Sequence, residues 1–448
     1  MQNNKTVYIL GAGASKAIGL PLQGELLNCI FEFKPREIDA QTSFMQLEFN
    51  LDEQKLLGVY EEFNKQRIKL ANFIVDNFAS QSLKAEYFAE YLSAVIKNAN
   101  NNESLPASPD LEYRAFRIAG RVNVTLEDLF TLFDKIIIGR EHFRVYSPEN
   151  IQRVQTALRK CIIFTLAYYN SINIKENNAV KKFAEKLLKY RRCMPTSVDN
   201  LSIITMNWDA YLEKSLFQLC EEYNSTQMRQ KVYPDLCFYD YCYDLGEHRI
   251  VSTHIKAKGY RNIKLLKLHG SMNWLTCPYC GRVFVDYKQD IAVDEMLTVC
   301  YCPLCYKEFE GNIDSPQMHS MLITPTFLKD LNNLHIKNIW HNALIDLTEA
   351  KKVVFIGYSF PDADFEMRCL LKKALQPGAG IDVVLHSTDD PKYYENILTG
   401  QNAKAQVLSR LNLPENRYIS FFGQDMVRFY YCGMEKYLDD NFPGEVLK

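Results

Sequence analysis

The stretch Lys264 to Cys280, KLLKLHGSMNWLTCPYC, places an apolar segment, a His-Gly pair and a cysteine knuckle within one short run. Few architectures accommodate the three in that order. A strand buried on both faces carries apolar residues without clean alternation, and Ile263 to Leu268 fits if Lys264 and Lys267 lie near its ends. In open α/β sheets ligands sit beyond the carboxyl ends of the strands, where His269, Gly270 and Ser271 would emerge. The histidine thus falls where such sheets do chemistry.

The chain's start has the same logic. Val7 to Leu10 is an apolar strand running into Gly11-Ala12-Gly13-Ala14-Ser15, and Gly24 to Phe31 reads as helical. Strand, glycine turn and helix is an arrangement that cradles phosphates, and also simply a tight turn. The usual dinucleotide fingerprint wants a third glycine where Lys16 stands, and no convincing acidic residue follows on a second strand. The pattern resumes at Leu201 to Thr205, followed by Met206-Asn207-Trp208-Asp209 and a helix through Leu216. Asn207 and Asp209 at a strand end also serve as turn and cap residues.

Further strands are expected at Met321–Thr324, Lys352–Ile356, Ile381–Leu385 and Tyr418–Phe421, with helices over Leu328–Lys351 and Phe365–Leu375. Gly357-Tyr358-Ser359 makes a fourth turn at the same sheet edge. Strands alternating with helices predict an α/β fold with a mostly parallel, Rossmann-like sheet.

Two segments interrupt it. Between 31 and 196 glycine thins out and apolar residues recur at helical spacing, as in Leu70, Phe73, Ile74 and Phe78, which reads as a large helical insertion. Within it, Thr125-Leu126-Glu127-Asp128 has the form of a capped helix start, and Asn98 to Pro109 that of an exposed loop. The second is a zinc-ribbon insertion. Cys277 and Cys280, then Cys302 and Cys305, form two C-P-x-C knuckles 21 residues apart, and four thiolates suit a closed, structural zinc site. Cys300 competes as a ligand through a poorer spacing, and a redox dithiol is the other reading of such pairs. The chain therefore divides into a first α/β segment (1–30), the helical insertion (31–196), α/β core (197–271), zinc ribbon (272–312) and the second half of the core (313–448).

Bulk properties exclude more than they assign. Thirteen cysteines and no export signal argue for reduced thiols or metal rather than a disulfide framework. A net charge of −2 gives no global field toward nucleic acid or an anionic membrane. No run approaches the ~18 unbroken apolar residues of a membrane helix. A cytoplasmic protein with no membrane contact and no direct nucleic-acid binding is expected.

Taken in order, these pieces resemble a sirtuin: the Gly11–Ser15 turn with Gly19-Leu20-Pro21, Thr205 to Asp209, His269-Gly270, the four cysteines, and Gly357-Tyr358-Ser359. The resemblance covers the two ends and the 201–448 block, and leaves out the helical insertion. It implies NAD between a Rossmann-like domain and a zinc module. On that resemblance Gly11, Ala12, Gly13 and Ser15 hold the pyrophosphate, and Gly357 and Ser359 meet the adenosine ribose. Asp209 would bind the nicotinamide carboxamide, Asn207 the ribose hydroxyls or a water, and His269 would accept a proton. Water as nucleophile gives ADP-ribose and nicotinamide, whereas an acyl-lysine oxygen gives deacylation.

The departures bear on that choice. Leu22-Gln23-Gly24 stands where deacylating members carry Asp-Phe-Arg, Met206 replaces a glutamine, and Phe360 to Asp364 replaces the run after the usual Gly-Thr-Ser. With the large insertion, these are similar to divergent sirtuin-like proteins of bacterial antiphage defence, which destroy NAD. That similarity implies an NAD hydrolase under the control of a partner or a homo-oligomer, with the insertion as the candidate control surface. A deacylase and a nucleotide sensor without turnover are the alternatives, and NADP is an open substrate.

Overall fold

The computed structural model describes residues 5–34, 53–100, 109–172, 178–195, 198–230, 236–242, 261–286, 291–297, 299–309, 316–385 and 413–443. The loop expected from Asn98 to Pro109 lies, from 101 to 108, outside them.

The core is a seven-stranded sheet in the order β10-β9-β8-β1-β2-β4-β3, and every described pairing is parallel. Its strands are β1 (Lys5–Leu10), β2 (Leu201–Thr205), β3 (Cys237–Asp240), β4 (Arg261–Lys267), β8 (Ala350–Ile356), β9 (Gly380–Val384) and β10 (Val427–Tyr430). β1 is buried along its whole length, Lys5 included. The Lys5 ammonium is tolerated there because it bonds to Asp346 and sits 3.2 Å from Asp199 and 3.1 Å from Glu349. The chain leaves β1 toward β2 on one side and later returns to β8 on the other. The strand order therefore reverses at β1, which opens a crevice beyond the carboxyl ends of β1, β2 and β8.

A second, three-stranded antiparallel sheet, β6-β5-β7, is made from β5 (Gly270–Thr276), β6 (Val283–Val285) and β7 (His319–Leu322). β5 follows β4 across only Leu268 and His269, so the histidine occupies the corner between the two sheets. Gly270 makes that corner possible: its φ is +76°, and a Cβ there would lie 1.8 Å from the Met321 carbonyl oxygen. The strand expected at Met321–Thr324 is found slightly earlier and pairs in this small sheet rather than the parallel one.

Among the described residues the α-helices longer than one turn, in chain order, are α1 (Ala12–Lys16), α2 (Leu26–Glu32), α3 (Glu53–Phe78), α4 (Gln81–Asn100), α5 (Pro109–Gly120), α6 (Leu126–Gly139), α7 (Pro148–Ile172), α8 (Ala179–Cys193), α9 (Tyr211–Gln230), α10 (Leu334–Glu349), α11 (Phe365–Ala374), α12 (Pro414–Phe422) and α13 (Gly433–Asn441), with single turns at Asp294–Leu297 and Cys305–Glu308. Helices α3 to α7 pack around an aromatic core that includes Phe33, Phe63, Phe73, Phe130, Phe133 and Phe164, whereas α8 lies on the parallel sheet, with Phe183 against Tyr8 and Phe442. Buried Arg67 ties this body to the first α/β segment. Its guanidinium lies 3.7 Å from the Phe116 ring centroid and donates to the Ile30 and Phe33 carbonyls at the end of α2.

The start of α6 is as expected from its sequence. The Thr125 hydroxyl accepts from the Asp128 amide while the Asp128 carboxylate accepts from the Thr125 amide, each at 3.1 Å. Thr125→Ala should lower the stability of the helical body by about 1 kcal/mol. A chemical-denaturation midpoint unchanged by this substitution would show that the cap contributes nothing.

Two expectations are corrected. Tyr418 to Phe421 is helical, inside α12, because Pro414 starts a helix at its first position and Tyr418 turns inward to stack on Phe360. The strand is β10, which starts only at Val427, an edge strand whose Arg428 pairs with Asp382. The helix expected from Leu328 begins at Leu334, where the Asn333 side chain accepts from the His335 amide as a cap, and ends at Glu349 before β8. Among the described residues no helix is long and apolar enough to cross a membrane.

Candidate active site and four-thiol cluster

Three glycines let the turns after β1 and β8 interlock. A Cβ on Gly11 would sit 2.5 Å from Tyr358 Cα, one on Gly13 2.7 Å from Gly357 Cα, and one on Gly357 2.1 Å from the Ala14 amide nitrogen. Gly357 also holds φ at +60°. The Gly11, Gly13 and Ala14 amides donate to the carbonyls of Ile356, Gly357 and Gly11. Instead of a ring of free amide donors, these residues make a thin backbone floor that a ligand can approach closely.

Above that floor lies a cleft of about 1050 Å³ lined by Gly11, Ala12, Gly13, Asn207, His269, Gly357 and Ser359. A narrow second lobe is lined by Ser15, Asp209, Trp208, Leu20 and Pro21. Ala12, Gln23, Met206, Asn207 and His269 belong to both. Every residue singled out from the sequence as catalytic or NAD-binding lines one lobe or the other. Asn207 and His269 stand at the junction.

Asn207 is oriented by its own hydrogen bonds. Its Nδ2 donates to the Gly11 carbonyl and to Ser15 Oγ, each at 2.9 Å. The Gly11 carbonyl can only accept, so a flipped amide would face it with an oxygen. Oδ1 is therefore the group left to accept a hydrogen bond from a ligand hydroxyl or a water. Ser15 Oγ passes its own proton to Asp209 Oδ2 at 2.7 Å, and Asp209 Oδ1 accepts from the Tyr211 amide at the start of α9. From below, Lys267, buried and ion-paired with Glu213, donates to the Asp209 carbonyl at 2.6 Å. Ser15 and Asp209 thus act through this network as well as through the narrow lobe.

His269 is buried, and among the described residues its Nε2 has no hydrogen-bond partner. The Leu268 carbonyl before it accepts from Trp340 Nε1 at 3.1 Å, and its own carbonyl accepts from the Ile323 amide at 2.9 Å, which fixes the corner. Burial lowers the imidazole pKa, opposed by the nearby Asp364 carboxylate, and Lys329 adds to the lowering. The ring is consequently neutral at pH 7, with Nε2 as an available base.

The helical body supplies the opposite wall. Residues Ala119 to Glu127, from the end of α5 to the start of α6, line the large lobe together with Arg417 of α12. Gln23 Nε2 donates to Glu127 Oε1 at 2.9 Å, joining the second residue after Gly19-Leu20-Pro21 to this wall. Burial, more than any neighbour, holds Glu127 above the usual carboxylate range. Arg417 Nη1 donates to the Ser359 carbonyl at 2.9 Å. No local pattern in 119–127 marked it as site wall, because only tertiary packing carries it there. Asp364 carried a faint signal, as part of the run after Gly357-Tyr358-Ser359.

At the other end of β5, the thiols of Cys277, Cys280, Cys302 and Cys305 come together with all four sulfurs within 4.8 Å of one another. Cys277–Cys305 and Cys280–Cys302 are each 3.8 Å apart. Zinc–sulfur bonds of about 2.3 Å in a tetrahedron give edges of about 3.8 Å, so the cluster fits a zinc ion. Cys300 lies outside this cluster of ligating atoms. Cys277, Cys302 and Cys305 sit in their own small core with Leu275, Phe284 and Met318, while Cys280 is exposed.

The fold and site define a parallel α/β protein with a two-lobed cleft at its switch point and a four-thiol knuckle. No known family profile matches the chain, and no curated protein does. Among solved structures it is similar to one from work on the structural basis of sirtuin substrate affinity, with 10% identity over 97% of this chain and 92% of that one and a TM-score of 0.31. It is also similar to a Sir2 homolog in complex with NAD (12% identity, 69% and 84% covered, TM-score 0.29). A third is a mutant Sir2 homologue with ADP-ribose (13%, 90% and 93%, 0.29). At these TM-scores no structural detail carries over to this chain.

Proposed function

We propose that this protein hydrolyses NAD at the nicotinamide–ribose bond, and that it serves as an NAD-depleting effector of bacterial antiphage defence. The observation that carries the chemistry is the junction itself, where a neutral, buried His269 with a free Nε2 and an Asn207 locked with Oδ1 outward meet between the two lobes. The ordered sequence motifs supply the choice of NAD, and through their departures the choice of hydrolysis and of defence.

In this reading the diphosphate and adenosine lie over the Gly11–Gly13 and Gly357–Ser359 floor, and the nicotinamide enters the narrow lobe beside Asp209. The C1′–N bond breaks with its electron pair moving to the ring nitrogen, so nicotinamide leaves neutral. Water, held by Asn207 Oδ1, adds to the cationic C1′ and gives a proton to His269 Nε2, which releases it to solvent. The products are ADP-ribose, nicotinamide and one proton. The preshaped cleft supplies orientation, and no acid is needed for the leaving group.

Zinc in the four-thiol cluster is structural, since all four ligands are protein thiolates and no open position remains for substrate. The protein works in the cytoplasm, and a partner protein or self-assembly restrains an activity that would otherwise be toxic.

The test is incubation of purified protein with NAD, and separately with NADP, with products resolved by chromatography. Free nicotinamide and ADP-ribose without any peptide support hydrolysis. Turnover only in the presence of an acetylated peptide would replace the reading with deacylation. Tight NAD binding with no turnover under any condition would make the protein a sensor.

A further inference from the structure

We infer that Asp364 is a positioning residue for His269, the two forming a buried dyad in which the carboxylate receives the imidazolium when Nε2 takes up a proton. The inference deepens the hydrolase reading and rests on it for the source of that proton.

Asp364 Oδ1 lies 3.7 Å from His269 Nε2, too far for a hydrogen bond at rest and within ion-pair reach once the ring is charged. Both side chains are more than nine-tenths buried. The carboxylate is held from other directions: Oδ2 accepts from the Tyr358 hydroxyl at 2.7 Å, and Oδ1 lies 3.3 Å from the fully buried Lys329 ammonium. Lys329 is itself anchored by Glu366 at 3.1 Å and by the carbonyls of Thr326 and Ala363. The charged groups acting on His269 are thus Asp364, Lys329 and Glu366, with the Met206 carbonyl on the ring.

The backbone is bent to place this carboxylate. Phe360, fully buried among Tyr418, Phe421 and Phe422, adopts φ of +53°, a left-handed conformation that a bulky residue rarely takes. The strained residue starts the turn that ends at Asp364, immediately before α11. Surrounding aromatics and the Arg368 guanidinium, which donates to the Phe360 carbonyl at 3.1 Å, hold it there.

The arrangement explains a conflict in the site. Burial keeps the His269 base neutral, and it equally disfavours the imidazolium the ring becomes, unless a counter-charge lies within reach. Lys329 opposes premature protonation, and Asp364 provides the counter-charge when the proton arrives. The step needs no change in the fold, only a small turn of the ring toward Oδ1.

The experiment is an NMR titration of histidine-labelled full-length protein without substrate, the His269 signal being assigned by its loss in His269→Gln. Asp364→Asn should lower the His269 midpoint by about one pH unit, a roughly ten-fold loss of proton affinity, and Lys329→Met should raise it. Asp364→Glu should restore part of the wild-type midpoint. An unchanged midpoint in folded Asp364→Asn overturns the inference. Should that variant fail to fold, an unchanged midpoint in Lys329→Met does so instead. The titration does not depend on turnover, so a dyad without nicotinamide release would sink the hydrolase reading and leave the pair intact. Where nicotinamide is released, the acidic limb of the rate profile of Asp364→Asn moves to lower pH by the same amount.

Discussion

On the proposed NAD hydrolysis, His269→Ala should lower nicotinamide release by about 10²- to 10⁴-fold, the usual contribution of a positioned base, with little effect on the affinity for NAD. The asymmetry follows from the site. His269 sits at the junction of the lobes, whereas the floor that would carry the diphosphate is made of backbone from Gly11 to Gly13 and Gly357. Asn207→Ala should cost a comparable factor, because it removes the oriented Oδ1 and also strips a donor from the Gly11 carbonyl and Ser15 Oγ.

The pH dependence has a definite sign. Only the neutral ring is a base, so activity is lost as pH falls through the His269 pKa. Burial places that pKa below the ordinary value of 6.5, so wild-type activity is flat around pH 7 and declines only on further acidification. Rates of nicotinamide release across pH 5 to 8 check this. A loss of activity centred above pH 7, or full activity in His269→Ala, would remove the histidine from the mechanism.

The second large effect is expected at the four-thiol cluster. Structural zinc contributes on the order of 10 kcal/mol to the folding of small zinc modules. The core around these thiols is small, Leu275, Phe284 and Met318 with Leu304 and Phe309 packed against them, and cannot replace it. Cys277→Ser or Cys302→Ser should therefore abolish stoichiometric zinc, measured by elemental mass spectrometry, and lower the melting temperature of the whole chain.

Activity should fall as well, although the cluster lies away from the cleft. β5 carries Cys277 at one end and begins at Gly270, next to His269, while the Ile323 amide beyond β7 bonds the His269 carbonyl. Loosening the small sheet loosens the corner that aims the base. Metal-free protein with unchanged melting and unchanged turnover would refute both parts. Paired disulfides in freshly isolated protein would instead identify the cysteines as a redox device.

Much of this was legible in the chain because it depends on local chemistry. Buried parallel strands must be apolar on both faces, so β1, β2, β4, β8 and β9 stand out as continuous runs. Turns that require close backbone approach need glycine, which marks Gly11, Gly13 and Gly357. Metal knuckles need two cysteines a fixed distance apart, and Thr125 with Asp128 announces a helix start. β10 escaped because an edge strand with a charged Arg428 has a weak pattern, and the aromatic run in α12 resembles a strand when read without Pro414.

What the linear sequence determined by itself, then, is the class of sheet, the residues at its carboxyl edge and the four-thiol cluster. Each is set by backbone geometry or ligand type within a few residues. Tertiary structure alone decided that residues 119–127 of a helical body would wall the cleft, that Gln23 would meet Glu127, and that Asp364 would come within 3.7 Å of His269. Those contacts join residues up to about a hundred positions apart. They arise only when the sheet order, the anchoring of the helical body to the end of α2 by Arg67 and the strained turn at Phe360 are satisfied together. Periodicity reports which face of an element is buried and is silent on what that face meets.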